Sequence, residues 1–179
     1  MMWAKLIVLL VLIFFGSVQA ATVSLIPDRS SVSVGDQFSV EIIGSDFLSL
    51  SGGTMDLGMD DRVQLQSISI DSYWDFLPSS IGSSQSPEVW TGIEFSTLFN
   101  PLASGDFLIA TIVFEAMNAG ISNLSILHSS EFYDPSGVLF PDTIVSQVIV
   151  SPVPIPPAIW LFAIGLMGMF RFTANHRIP

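Results

Sequence analysis

The chain has 179 residues, 50% of them hydrophobic and only 12% charged, with no cysteine and a formal net charge of −11. An acidic surface repels a phosphate backbone, so nucleic-acid binding is excluded, and the missing cysteines exclude disulfides, thiolate metal sites and cysteine nucleophiles. The apolar excess sits at the two ends, and without them about 130 residues remain, enough for one domain with its own core.

All 16 acidic residues lie between Asp28 and Asp142, a span whose basic residues are Arg29 and Arg62, so the middle carries −14. Residues 1–20 read as a signal peptide. Lys5 supplies the positive start, Leu6 to Phe15 is unbroken apolar sequence, and Val18 and Ala20 are the small residues of a cleavage site after Ala20.

Residues 21–150 read as an all-β domain. Thr22 to Ile26 and Ser31 to Val34 are strand-like, and Gly35-Asp36 turns the chain. In Gln37 to Ile43, Phe38, Val40 and Ile42 alternate with Gln37, Ser39 and Glu41, as in a strand with one buried face. Thr54 to Met59 and Val63 to Ile70 flank Asp60-Asp61, which reads as a hairpin turn. Asp71 to Pro87 reads as a long Ser-, Pro- and Gly-rich loop whose Tyr73, Trp74, Phe76 and Leu77 either form a contact surface or cap one end of the domain. Trp90 to Phe95 follows as a strand. Phe107 to Ala116, nearly continuous in apolar residues, reads as a central strand covered on both sides. Ile121 to Leu127 and Thr143 to Val150 complete about nine strands, the pattern of a two-sheet, jelly-roll-like β-sandwich.

Four stretches carry a likeness in this same order. Val32 to Val40 (VSVGDQFSV) is similar to the opening of cohesin-like domains. Gly53 to Asp60 with Val63 to Ile70 is similar to their hairpin, with Met59 where an aromatic residue is common. Leu108 to Ala116 followed by Gly120 is similar to a later strand, and Tyr133 to Gly137 to a late turn. The resemblance implies a nine-stranded jelly roll related to bacterial carbohydrate-binding modules. Classical cohesins bind dockerin modules through one sheet face; no residue here identifies such a face, so the sequence does not carry that partner over.

Catalytic residues: none is expected. The body's one histidine, His128, adjoins Ser129 and Ser130 without a nucleophile elbow. Glu88 and Glu94 form a glycosidase-like pair only if they face each other across a cleft. Asp56, Asp60 and Asp61 gather around one turn, and their hard oxygens make them a candidate Ca²⁺ site beside the plainer reading of a solvated acidic turn. No other cofactor is expected.

Residues 151–179 form a tail. Val153-Pro154-Ile155-Pro156-Pro157 leads into an apolar stretch from Ala158 to Phe170, with Trp160 near its start and Arg171, His176 and Arg177 after it. A helix there of about 15 residues is roughly 22 Å long, short for a transmembrane helix. Basic residues at both chain ends stay inside, so the acidic body is the translocated part. The tail resembles the PEP-CTERM sorting signal of exopolysaccharide-producing Gram-negative bacteria. Val153, Pro154 and Pro156 match its motif, with Ile155 in place of the usual glutamate. Trp160, Leu161 and Phe162, with Gly165 and Gly168, match its helix, and Arg171 begins the basic stop that Arg177 extends. The resemblance implies an exosortase partner, passage through the inner membrane, and delivery to the cell surface or the extracellular matrix. The sequence thus describes an exported, non-enzymatic surface or biofilm-matrix protein whose sandwich binds exopolysaccharide or another surface protein. The alternatives are a polysaccharide-acting enzyme or its accessory subunit, and a plain membrane-anchored scaffold.

Overall fold

The computed structural model describes residues 21–74, 80–97, 100–135, 137–140, 142–143 and 145–153, with Phe162, Ile164 and Met167 in the tail. Two β-sheets pack face to face. The first has the order β12(Asp142–Thr143), β1(Thr22–Pro27), β3(Gln37–Leu50), β8(Ala103–Ala116), β5(Val63–Ile70). The second runs β11(Gly137–Leu139), β10(Glu131–Asp134), β4(Gly52–Gly58), β9(Gly120–Ile126), β13(Ser146–Ser151), β2(Ser31–Ser33). The hairpin of β6(Ser80–Ser86) and β7(Val89–Ser96) joins it through β4.

Alternation is what assembles the sandwich. Phe38, Val40 and Ile42 of β3 point inward with Ile112 and Phe114 of β8 from the same sheet, and Met55, Leu57, Ile93 and Phe95 answer from the second sheet. Each buried side chain of this size contributes about 1.5–3 kcal/mol. One end is filled by rings. Trp74 packs edge-on against Phe95 and Phe107, with centroids 5.0 and 5.4 Å away, and Phe47 reaches both Phe107 and Phe132.

Four expectations change. The Asp60-Asp61 turn is not a hairpin: β4 and β5 lie in different sheets, and the turn is the corner between them. Asp60 holds that corner because its carboxylate accepts from Ser122 Oγ (2.9 Å) and Asn123 N (3.1 Å) on β9, and from Arg62 N (3.1 Å). Second, Asp71 to Pro87 is not one loop. Its start is a short 3₁₀ turn, Ser72–Trp74, that buries Trp74 completely, and its end is β6. Trp74 therefore caps the core; Phe76 and Leu77 lie outside the described residues. Third, β8 is central but not covered on both sides, since Thr111, Val113 and Glu115 on its outer face are half-buried. Fourth, Glu131 to Leu139 adds an unexpected hairpin, β10–β11, around the expected turn, where Gly137 N donates to Asp134 Oδ1 at 2.8 Å.

The two lateral flanks differ. On one, β1 pairs in parallel with β12 and β2 in parallel with β13, so both chain ends of the body lace the sheets together. On the other, β5 and β6 are the outermost strands, and each carries a register slip that twists its edge. In the tail, Phe162, Ile164 and Met167 are helical and exposed. Among the described residues no helix is long and apolar enough to cross a membrane.

Candidate functional site

The expected chemical residues do not converge. Asp56 accepts from Gly92 N (2.9 Å) and from Ser129 Oγ, while Asp60 is committed to the corner and Asp61 is exposed beside Arg62 (3.6 Å). Among the described residues no three His, Asp or Glu side chains group to hold a metal ion, so the calcium expectation at Asp56, Asp60 and Asp61 finds no cluster. Ser129 and Ser130 both serve Asp56, the latter accepting from its backbone N–H at 3.0 Å, and His128 beside them is exposed. Glu88 stands in the turn before β7 and Glu94 near that strand's far end, about 20 Å apart at 3.3 Å per residue, so they are no carboxylate pair. Of the sorting motif, Val153 is described and exposed; Pro154 and Pro156 lie outside the described residues. So do Trp160, Leu161, Gly165, Gly168, Arg171, Arg177, Val18 and Ala20.

What the fold does bring together lies on the outer face of the second sheet. Met55 and Leu57 of β4 are buried, which turns Thr54 and Asp56 outward. Thr54 pairs with Glu94 of β7 on one side and with Glu131 of β10 on the other. The row Glu94–Thr54–Glu131 therefore crosses three strands, with two carboxylates flanking a hydroxyl. Two residues on, Tyr133 lies opposite Gly52, and Gly52 opposite Ser96. The Tyr133 hydroxyl donates to Glu131 Oε2 at 2.9 Å. That bond, then burial, raises its pKa above 10.0, and the charge of Glu94 adds to the shift.

Beside this row runs a shallow groove of about 440 Å³, lined by Ser51 to Thr54, Glu94 to Thr97 and Tyr133. Its floor is bare of side chains for a packing reason. Gly52 shares the outward face with Thr54, and a Cβ there would run into the Phe95 carbonyl and sit 2.8 Å from Ser96 Cα. Chemically the face offers acceptors and a phenol on a broad sheet. The carboxylates lie on one face of it, and among the described residues no opposed wall holds a scissile bond between them. Sequence shows part of this: Glu94 stands between inward Ile93 and Phe95, and Thr54 before Met55. The meeting of residues 54, 94 and 131 depends on long-range register, for which the sequence holds no local signal.

No protein-family model matches the chain, and no curated protein does. Solved structures do. A cohesin from Clostridium acetobutylicum superposes with a TM-score of 0.61 at 21% identity, over 75% of this chain and 94% of the other. A non-cellulosomal cohesin from Archaeoglobus fulgidus gives 0.60 at 14%, over 74% and 92%. The sixth cohesin of Acetivibrio cellulolyticus scaffoldin B, solved in complex with a Cel5 dockerin, gives 0.60 at 15%, over 74% and 100%. At these identities the likeness is one of fold: the body is a cohesin-like β-sandwich.

Proposed function

We propose that the chain is an exported, non-enzymatic docking module whose second sheet receives a protein partner on its outer face. The observation that carries this is the Glu94–Thr54–Glu131 row beside Tyr133 on a groove with a glycine floor. Such a surface suits a partner presenting Lys or Arg, whose charges steer encounter and fix register. The cohesin-like fold supports the reading, since one of its structural neighbours is held in complex with a dockerin. An exosortase partner, transit through the inner membrane and delivery to the surface or matrix rest on the tail at Val153 and beyond.

One experiment addresses both parts. The mature protein is recovered from the native host with and without the exosortase gene, its intact mass is measured, and its partner is captured. The expected product has lost residues 1–20 and the tail from near Val153–Pro156, lies outside the cell, and retains a basic partner that Glu94→Lys with Glu131→Lys releases. A tail kept in the membrane in both strains overturns the sorting. A partner indifferent to the charge reversal overturns the docking face.

A further inference from the structure

The open flank holds a second concavity, separate from the docking face. Between β5 and the β6–β7 hairpin lies a groove of about 590 Å³, within the ordinary range for small-ligand sites. Trp90 pairs with buried Leu57, so its indole lies on the inner side of the second sheet, and with Leu65 and Met117 it gives the groove an apolar wall. Gln64, Asn118 and Ser84 stand along the same groove with amide and hydroxyl groups. We infer that this groove binds a neutral saccharide.

The chemistry of the lining selects that class. A pyranose ring offers apolar C–H faces and a periphery of hydroxyls. An indole wall takes the first, and uncharged amides and hydroxyls take the second. Among the described residues no Lys, Arg or His lines the groove. A uronate or phosphate finds no counter-charge there and meets a body carrying −14. A cation fares no better, because the one lining carboxylate among the described residues, Asp61, already has the Arg62 guanidinium 3.6 Å away. A purely apolar side chain would desolvate the amides without replacing their hydrogen bonds with water.

The site is also held ready. Trp90 Nε1 donates to the Ile81 carbonyl at 2.6 Å, fixing the ring. Asn118 Nδ2 donates to the Asp61 carbonyl at 2.9 Å, and Ser84 Oγ to the Ser86 carbonyl at 2.9 Å. Wall and rim therefore lose little freedom when a ligand arrives.

The test titrates the full-length chain in detergent with neutral hexasaccharides of gluco, galacto and manno configuration. A uronic-acid hexasaccharide and an apolar octapeptide serve as controls, and heat and tryptophan fluorescence are recorded. At least one neutral series binds with a fluorescence change, and neither control does. Gln64→Ala, on the exposed rim, weakens binding about fivefold, and Trp90→Ala at least about tenfold. Trp90→Phe keeps a ring in place should the alanine variant fail to fold, and gives an intermediate loss. No neutral sugar bound at millimolar concentration, equal binding of the uronic acid, preference for the peptide, or sugar affinity unchanged in Gln64→Ala and Trp90→Phe overturns the inference. The docking face is untouched by these variants, so each reading fails separately.

Discussion

Tyr133 reports on the docking face at the level of a single side chain. Its neutral phenol donates to Glu131, and ionisation would replace that bond with two facing negative charges. The folded pKa lies above the ordinary 10.0, so the proton is held more tightly in the fold than in the unfolded chain. The resulting stabilisation is complete below pH 10 and is lost as pH rises through the raised value. Ultraviolet titration should show Tyr133 ionising later than a free tyrosine, and Glu131→Gln should bring it down toward the ordinary range. A Tyr133 titration unchanged in Glu131→Gln would mean that the two groups do not meet on this face.

Among the elements, the β4–β5 corner is where the chain passes between sheets, and Asp60 is its fastener. Its carboxylate satisfies Ser122, which is fully buried, and a backbone N–H of β9. Asp60→Ala orphans those donors together. The expected loss is about 2–3 kcal/mol in urea unfolding, with Ser122→Ala adding much less in the double variant than alone. Gly120 completes the corner: its φ of +143° demands glycine, and a Cβ there would also displace the Arg62 side chain. The sequence shows the strands but not this corner. Alternation in Phe38–Val40–Ile42 or Val148–Val150 is local and announces a strand and its buried face. Whether two acidic residues between two strands make a hairpin or a crossing depends on which strand each one pairs with, and that is decided by residues far along the chain. β6 was hidden for a different reason. Its Ser-Ile-Gly-Ser-Ser-Gln-Ser composition is that of a loop, and only pairing with β7 makes it a strand. For the candidate sites, the acids and Trp90 are visible in sequence as residue types, whereas their grouping is not.

For the molecule as a whole, charge is the dominant long-range term. Sixteen acids against two arginines spread over one small body repel one another, and the ion pairs of Arg29 and Arg62 are surface pairs worth little. Salt that shortens the screening length to about 3 Å at 1 M relieves that repulsion. Raising sodium chloride should therefore increase the melting temperature while weakening capture of a basic partner, two opposite trends from one cause. A melting temperature that falls with salt would show that specific ion pairs, not net repulsion, govern the body.

The laced flank has a mechanical consequence. Thr22 lies beside Ser45, while Ser151 accepts from Val34 N near the start of β3, so the body's two ends leave from opposite ends of the sandwich. The distance along β3 from Gln37 to Ser45 is about 26 Å. A pull between the tail and the amino terminus runs along β1 and β13 and loads their hydrogen bonds to β3, β9 and β2 side by side rather than one after another. Tension applied this way shears the terminal strands instead of peeling them, and a shared load resists rupture better. A sandwich loaded between its two ends is thereby built to hold under drag.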